Sequence, residues 1–407
     1  MAVKWLQAAT VGMQRVGALV AAAAISGSRP VPLERFSQQL SDVLNHAVIV
    51  PVERSEQLEA YVRGLALRQR VSVGPDKIPI QDAWLSDPTL PSATGAVTPA
   101  ASGDIPQLAA SLRIVRDANY TLTDRGKAVR LLADESNQSV LQHRWEPNPY
   151  RVSLGLGLFV IHALLDADGD MVRQAYARLL SASPPTVRRY DFAVQFLDGA
   201  AEDLWRRAGK RLTSSSDVQL INGLKALSKA IQDTDRTKKN AKTWGGGRSP
   251  DQAATVRLEP YADLGLLTKP SRFEYEYSLS VEQRSFFSDL IEAADVAEFL
   301  RSQLVCSYLK ARGIPDARRL PDEEIWQRLA SAYGEMRTAL GYAAFLEVVL
   351  LAIGRLLNEN SAQYFEVADG IDVIRKQHRL TPRAVQLTAT RGGGLRYMRI
   401  VESRRAS

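Results

Sequence analysis

The chain has 407 residues, of which 45% are hydrophobic and 24% are charged, so it is too apolar for a disordered protein and long enough for two or three domains. Its single cysteine, Cys306, excludes an intrachain disulfide, and we expect a reducing, cytoplasmic location. The formal net charge of +7 equals the excess of nine basic over two acidic residues within 372–407, which favours a polyanionic partner such as nucleic acid.

The N-terminal region, residues 1–85, is predicted to be a helical domain. Apolar residues recur there at helical spacing, which predicts helices at Val3–Ala24, Leu33–Leu44 and Glu56–Leu67. The uncharged run at residues 16–28 is shorter than the roughly 20 residues that a membrane span requires, so no membrane association is expected. Residues 86–104 are rich in proline, serine, threonine, alanine and glycine, which predicts a linker.

Residues 105–231 are predicted to form a segment with a helix-turn-helix pattern, described below, and a helical middle region. The helices of this middle region are expected at Leu154–Leu165, Asp170–Leu180, Thr186–Ala208 and Asp217–Ile231. Three alternating carboxylates, Asp166, Asp168 and Asp170, suggest the start of a calcium-binding loop, but Met171 occupies the position of its glycine. We therefore expect no metal site and predict that Asp168 or Asp170 caps the helix that follows.

Residues 232–252 are polar, contain three consecutive glycines and are predicted to form a flexible basic loop. Because cations in an exposed loop attract phosphate groups, four of its residues are candidate nucleic-acid contacts. These residues are Lys238, Lys239, Lys242 and Arg248. The alternative is that the loop is only a hinge between folded parts.

The tract at residues 255–280 contains several local signals in a defined order. Gly265 is placed to end a helix, alternating aromatic residues then indicate a strand, and Ser280 with Gln283 forms a capping-box pattern at the start of another helix. A similar ending, with the sequence YTLTDRG, occurs at residues 120–126 between two apolar helical stretches.

Both tracts resemble the second half of winged helix-turn-helix modules, in which such a sequence closes the wing and opens the last helix. The resemblance implies small β-hairpins in an otherwise helical fold, and it implies either DNA binding or protein docking. Basic residues are sparse, since the first tract offers Arg257 and the second offers Arg113 and Arg116. Whether these two tracts contact DNA is left open, because function does not follow from a fold alone.

Residues 253–371 are predicted to contain further helices at Ser280–Ala293, Val296–Ala311, Asp322–Leu340 and Ala343–Leu357. The final segment, 372–407, is predicted to be a basic hairpin and tail, with a short helix at Gly370–His378 and a turn at 391–394 made of one arginine and three glycines. The candidate nucleic-acid-binding residues of this region are Arg375, Lys376, Arg379, Arg383, Arg391, Arg396, Tyr397 and Arg399. The basic residues are expected to bind phosphates, and the tyrosine is expected either to stack on a base or to pack beneath the hairpin.

The sequence thus predicts a mainly α, multidomain protein with small winged-helix-type hairpins. It contains no recognisable catalytic motif: its four histidines lack paired-ligand spacing, and no glycine-rich phosphate loop follows a strand. The leading hypothesis is a non-catalytic component of a larger complex that binds nucleic acid, double-stranded DNA in preference to RNA, without a cofactor. Two alternatives are a protein-docking scaffold subunit of a genome-maintenance or antiviral defence machine, and a nuclease with a dispersed metal site.

Overall fold

The computed structural model describes residues 16–45, 49–50, 78–79, 104–140, 152–183, 185–209, 215–232, 250–268, 276–389 and 395–401. The fold in these ranges is mainly helical, with a few short strands in small sheets, as the sequence predicts. Nearly all of their buried apolar side chains belong to one connected core. None of the helices described is long and apolar enough to cross a membrane. The predicted helix Glu56–Leu67, most of the predicted linker and the loop at 233–249 lie outside the described residues.

The described N-terminal residues form four helices, which pack around a tight turn, and two short strands, which pair with each other. They are α1 (Val16–Ile25), α2 (Leu33–Asn45), β1 (Ile49–Val50), β2 (Ile78–Pro79), α3 (Asp104–Ser111) and α4 (Asp124–Val140). In the turn between α3 and α4, Val115 and Leu122 form a β-bridge. The connection between α1 and α2 pairs with this turn, because the Leu122 amide donates to the Gly27 carbonyl and the Val31 amide donates to the Asn119 carbonyl.

The central helix is α5 (Leu154–Leu180), and it replaces the two shorter helices predicted from the sequence. Ser153 caps its N-terminus, and most of its side chains are buried. Because the helix is continuous, the prediction that Asp168 or Asp170 caps a helix is wrong. The carboxylate of Asp168 is instead held by an arginine from another helix, so an acidic residue is accommodated in the helix interior.

A short strand follows α5 where the sequence predicted the start of a helix. This strand, β3 (Thr186–Arg188), pairs antiparallel with β4 (Glu276–Ser278). The β-branched side chains of Thr186 and Val187 favour an extended backbone, and Val187 is buried opposite Tyr277. The elements between the two strands are α6 (Arg189–Phe192), a π-helical turn (Ala193–Leu197), α7 (Asp198–Gly209), α8 (Ser215–Gln232) and α9 (Pro250–Asp263).

The segment after α9 has the local structure that the sequence predicts. Gly265 adopts a φ of +71° just beyond the helix, and Leu266 turns into the core. Thr268 then forms a β-bridge with Ser278. Ser280 caps the next helix through the predicted capping box.

Three helices follow β4, namely α10 (Val281–Glu292), α11 (Val296–Ser302) and α12 (Leu304–Ala311). The sequence predicted α11 and α12 as one helix, but Gln303 leaves the helical conformation between them. A buried carboxylate provides the physical reason, because Glu366 accepts hydrogen bonds from the amides of Val305 and Cys306. These amides lack helical partners at the start of α12, so the distant side chain stabilises a new helix N-terminus.

The C-terminal elements place helices on one side of a three-stranded sheet. They are β5 (Arg318–Arg319), α13 (Asp322–Met336), β6 (Ala343–Ala344), α14 (Phe345–Glu359), β7 (Gln363–Tyr364), α15 (Val367–Leu380), β8 (Val385–Ala389) and β9 (Leu395–Ile400). The sheet is antiparallel with the order β6–β9–β8. Helix α13 ends before the predicted Leu340, because the Thr338 amide donates to the Tyr342 carbonyl and Gly341, with a φ of +77°, completes a turn.

One pattern of connectivity occurs at three places in the chain. A short extended segment between two helices pairs with the second strand of a hairpin that comes later. The pairs are residues 27–31 with the turn at 115–122, β3 with β4, and β6 with β9. The sequence has no repeat of fixed period that corresponds to this pattern, because the lengths of the intervening helices differ.

Candidate nucleic-acid interface

Helix α15 is attached to the rest of the protein at its N-terminus. Glu366 caps the helix in a capping box with Asp369, and the same carboxylate accepts the amides of Val305 at 3.1 Å and Cys306 at 2.9 Å. Burial raises the pKa of Glu366 to about 7, although these two amides lower it. Arg319 of β5 donates to Asp369 at 2.7 Å. These contacts fix the first turn of α15 against α12 and β5.

Beyond its first turn, α15 has a buried face and an exposed face. Val367, Gly370, Val373 and Ile374 are buried at helical spacing. A Cβ atom on Gly370 would lie 2.7 Å from a methyl carbon of Val349 in α14, so glycine permits close packing of the two helices. The opposite face of α15 points away from the core and carries the predicted cations.

Two of the predicted cations on α15 are paired with exposed acids. The Arg375 guanidinium lies 3.7 Å from the Asp372 carboxylate, and the Lys376 ammonium lies 2.7 Å from the carboxylate of Asp322 at the start of α13. All four side chains are more than half exposed, at 53%, 75%, 55% and 61% respectively. Ion pairs in such positions contribute little to stability, so these cations can exchange their partners for other anions.

Arg379 and Arg383 extend the same cationic surface. Arg379 lies in the last turn of α15, Arg383 lies in the turn before β8, and both are exposed. Neither has an acidic partner among the described residues. We call Arg375, Lys376, Arg379 and Arg383 together the α15 surface.

The sheet β6–β9–β8 has an inner and an outer face. Met398 and Val385 are buried on the inner face, where β9 contacts α14 and β8 contacts α15. Because side chains alternate along a strand and paired residues share a face, the neighbouring positions belong to the outer face. The outer positions, on the three strands and just before β6, are Tyr342, Ala344, Gln386, Thr388, Tyr397 and Arg399.

Each of the two outer tyrosines lies beneath an arginine. The Arg399 guanidinium carbon is 5.5 Å from the ring centroid of Tyr342, and that of Arg396 is 5.1 Å from the ring centroid of Tyr397. Gly341 leaves room for this arrangement, since a Cβ atom there would lie 3.3 Å from Nε of Arg399. We call Tyr342, Tyr397, Arg396 and Arg399 together the outer aromatic face.

The structure therefore places the predicted C-terminal site residues on two sides of one sheet. The α15 surface belongs to the helix side, whereas the outer aromatic face belongs to the opposite side. Arg391 and the three glycines after it lie outside the described residues, as do Lys238, Lys239, Lys242 and Arg248.

The helix of the tract at 255–280, α9, has no cation at the protein surface. Its sequence contains one basic residue, Arg257, whose side chain is 3% exposed and whose Nε lies 2.7 Å from the Asp168 carboxylate of α5. Helix α9 is thus largely buried, and it offers no surface cation to a phosphate group. In the other tract, Arg113 and Arg116 are exposed beside the turn at 115–122.

A second buried charged cluster was not predicted from the sequence. Arg125 of α4 lies 3.1 Å from Asp166 of α5 and 3.9 Å from Glu347 of α14, and it donates to the Leu112 carbonyl at 3.1 Å. Burial raises the pKa of Glu347, and Arg125 opposes this effect. The cluster joins three distant parts of the chain, so no local sequence signal identifies it. Within the described ranges, no group of three or more histidine, cysteine, aspartate or glutamate side chains is suited to hold a metal ion.

We compared the chain with known protein families, curated proteins and solved structures. No protein family model matches the chain, and neither a curated protein nor a solved structure matches it.

Proposed function

We propose that residues 322–401 form a winged-helix-type module that binds double-stranded DNA without catalysis, as a component of a larger complex. Helix α15 takes the place of the recognition helix, and the β8–β9 hairpin takes the place of the wing. The order α13, β6, α14, α15, β8, β9, with β6 paired to β9, supports this assignment. The proposed module lies later in the chain than the two tracts whose sequences resemble winged helices.

The exposure of the α15 surface is the observation that carries the proposal. Its four cations project from one helix face and the following turn, and Arg379 and Arg383 have no acidic partner among the described residues. An α-helix with its side chains is about 10–12 Å across, and the major groove of B-DNA is about 12 Å wide. Helix α15 can therefore enter the groove while the flanking arginines reach phosphates.

This geometry favours DNA over RNA. The major groove of A-form RNA is too deep and narrow for side chains to read, so an exposed cationic helix fits it poorly. In the sequence, residues 390–394, which are a threonine, an arginine and three glycines, connect β8 to β9. Glycines permit close approach of a backbone to DNA, and phosphate contacts carry no sequence information, so binding should depend little on sequence.

A salt titration of duplex DNA binding tests the proposal. Replacing Arg379 and Arg383 together with alanine removes two cations, so we expect weaker binding at low salt and a salt slope smaller by about 2. The matched control replaces Arg206 and Arg301, exposed arginines on α7 and α11, with alanine. Both substitutions are surface changes, and circular dichroism should show both variants folded. Equal slopes for the wild type and both variants would contradict the proposal.

A protein-docking scaffold is a second candidate function, and the burial of α9 favours it. This helix occupies the same position in the connectivity as α15, yet it packs against other helices of the chain. In the middle of the chain, this order of elements therefore places a helix in contact with other protein segments. If the module of residues 322–401 binds only proteins, the Arg379 and Arg383 substitutions will leave DNA binding unchanged.

A further inference from the structure

The outer aromatic face is accessible and is separate from the helix side of the sheet. Tyr342 is 36% exposed, and Tyr397 and Arg399 are partly exposed. Their neighbours across β8, Gln386 and Thr388, are exposed and uncharged. The charged side chains on this face are thus Arg399, at an outer position, and Arg396, whose guanidinium lies over the Tyr397 ring, which suits a ligand with negative charges and flat apolar surfaces.

The two tyrosines have a spacing that suits consecutive ring-shaped groups. Ala343 and Ala344 pair with Met398 and Tyr397, so Tyr342 continues the register and stands diagonally across from Tyr397. Diagonal neighbours in an antiparallel pair lie about 7–8 Å apart, and their Cβ atoms are somewhat closer. Two flexible nucleotides can span this separation when their bases are not stacked on each other.

We propose that the outer aromatic face binds an unpaired nucleic-acid strand, with two neighbouring bases stacked on Tyr342 and Tyr397. In the free protein, Arg399 and Arg396 cover the two rings. The bases displace these guanidinium groups from the rings, and the arginines then pair with the adjacent phosphates. This binding uses the side of the sheet opposite to α15 and does not depend on duplex binding by the α15 surface.

Two double variants distinguish stacking from electrostatic attraction. Tyr342→Leu with Tyr397→Leu keeps apolar side chains but removes the aromatic rings, whereas Tyr342→Phe with Tyr397→Phe keeps the rings. The probe is an oligothymidine of about fifteen nucleotides, measured by fluorescence anisotropy with the full-length protein. We expect the leucine variant to bind about tenfold or more weakly and the phenylalanine variant to bind nearly as the wild type does. Equal affinities of the two variants would overturn the proposal.

Two control ligands separate this site from the duplex-binding site. An abasic oligonucleotide of the same length keeps the phosphates but lacks bases, so its affinity should be the same for the leucine and phenylalanine variants. Duplex DNA, whose bases are already paired and stacked on each other, should bind the leucine and phenylalanine variants equally. If the leucine variant loses both ligands equally, or if wild-type protein does not bind oligothymidine, the face does not bind an unpaired strand.

Crosslinking of the wild-type protein gives a test that does not depend on variant folding. An oligonucleotide containing iododeoxyuridine forms a photochemical bond to an aromatic side chain stacked on the modified base. We expect mass spectrometry to locate the bond on peptides that contain Tyr342 or Tyr397. Crosslinks confined to other peptides would overturn the proposal.

Discussion

Helices α9 and α15 occupy equivalent positions in the connectivity of the chain, but their surroundings differ. Each precedes a hairpin whose second strand pairs with an earlier short strand. Helix α9 is buried along most of its length, whereas α15 buries one face and exposes cations on the other. One arrangement of elements thus provides a core helix in the middle of the chain and a surface helix near its end.

The ion pairs of the two helices show what this difference means. The pairs Arg257–Asp168 and Lys376–Asp322 both have a shortest N–O distance of 2.7 Å. The side chains of the first pair are each 3% exposed, whereas those of the second are 55% and 61% exposed. Because solvent screens an exposed pair, burial rather than distance determines whether a cation maintains the fold or is available to a ligand.

The largest expected effect is on the buried pair. Arg257→Met removes the cation and leaves the Asp168 carboxylate in the core, which should lower the free energy of unfolding by about 3–5 kcal/mol. Urea denaturation followed by circular dichroism measures this change. Arg379→Ala on the exposed helix should change the same quantity by less than about 0.5 kcal/mol.

A double variant isolates the cause of that loss. Adding Asp168→Leu to Arg257→Met removes the unpaired buried carboxylate, so most of the lost stability should return. If the single variant is as stable as the wild type, the carboxylate is not held in a low-dielectric interior. The contrast between α9 and α15 would then not rest on burial.

The sequence predicts helices, strands and turns reliably where a local signal determines them. The apolar spacing of α15 and the alternation in β8 and β9 are visible in the sequence, and so are the capping box at Ser280 and the glycine turn at Gly265. Distant contacts determine the remaining elements. Strand β3 depends on a partner strand ninety residues later in the chain, at Glu276–Ser278, and α12 starts where Glu366 accepts its first free amides.

The same distinction applies to the candidate site. A count of charges identifies the cations of α15 and the hairpin, because clustering of like charges is a property of the sequence. It does not reveal that Asp322 neutralises Lys376, nor that Tyr342 joins Tyr397 on one face of the sheet. Both are contacts between residues that are far apart in the chain and close only after folding.

Glu366, which anchors the N-terminus of α15, should make the stability of the protein depend on pH. Burial raises the pKa of Glu366 from an ordinary 4.5 to about 7, so the folded state retains a proton that the unfolded chain has lost within this range. Stability should therefore be greatest near or below pH 4.5 as far as Glu366 contributes, and it should fall by at most about 3 kcal/mol as the pH rises to about 7. Urea midpoints measured across this range test the prediction.

Glu366→Gln resembles the protonated side chain and does not titrate. Its stability should therefore lack this contribution, and its curve against pH should be flatter than that of the wild type between these limits. Glu324→Gln, on the exposed first turn of α13, is the matched control and should leave the curve unchanged. Parallel curves for the wild type and Glu366→Gln would show that Glu366 does not titrate in this range.

The smallest expected effect concerns the exposed pair on α15. Asp322→Asn removes the partner of Lys376, and because the pair is exposed, the free energy of unfolding should change by less than about 1 kcal/mol. The same substitution makes Lys376 available and removes a negative charge beside the α15 surface. Duplex DNA should consequently bind more tightly at low salt, with a salt slope larger by about 1. Removing the surface pair would thus change stability little and DNA binding measurably, whereas removing the buried pair changes mainly stability.

Glu323→Gln is the control for this last prediction, since it removes a charge from the same helical turn without removing the partner of Lys376. A general reduction of negative charge should strengthen binding equally in both variants, whereas release of Lys376 should do so only in Asp322→Asn. Adding Lys376→Ala to Asp322→Asn should then abolish the gain. If the gain persists in that double variant, Lys376 does not contact the duplex, and the DNA-binding part of the α15 surface is limited to its arginines.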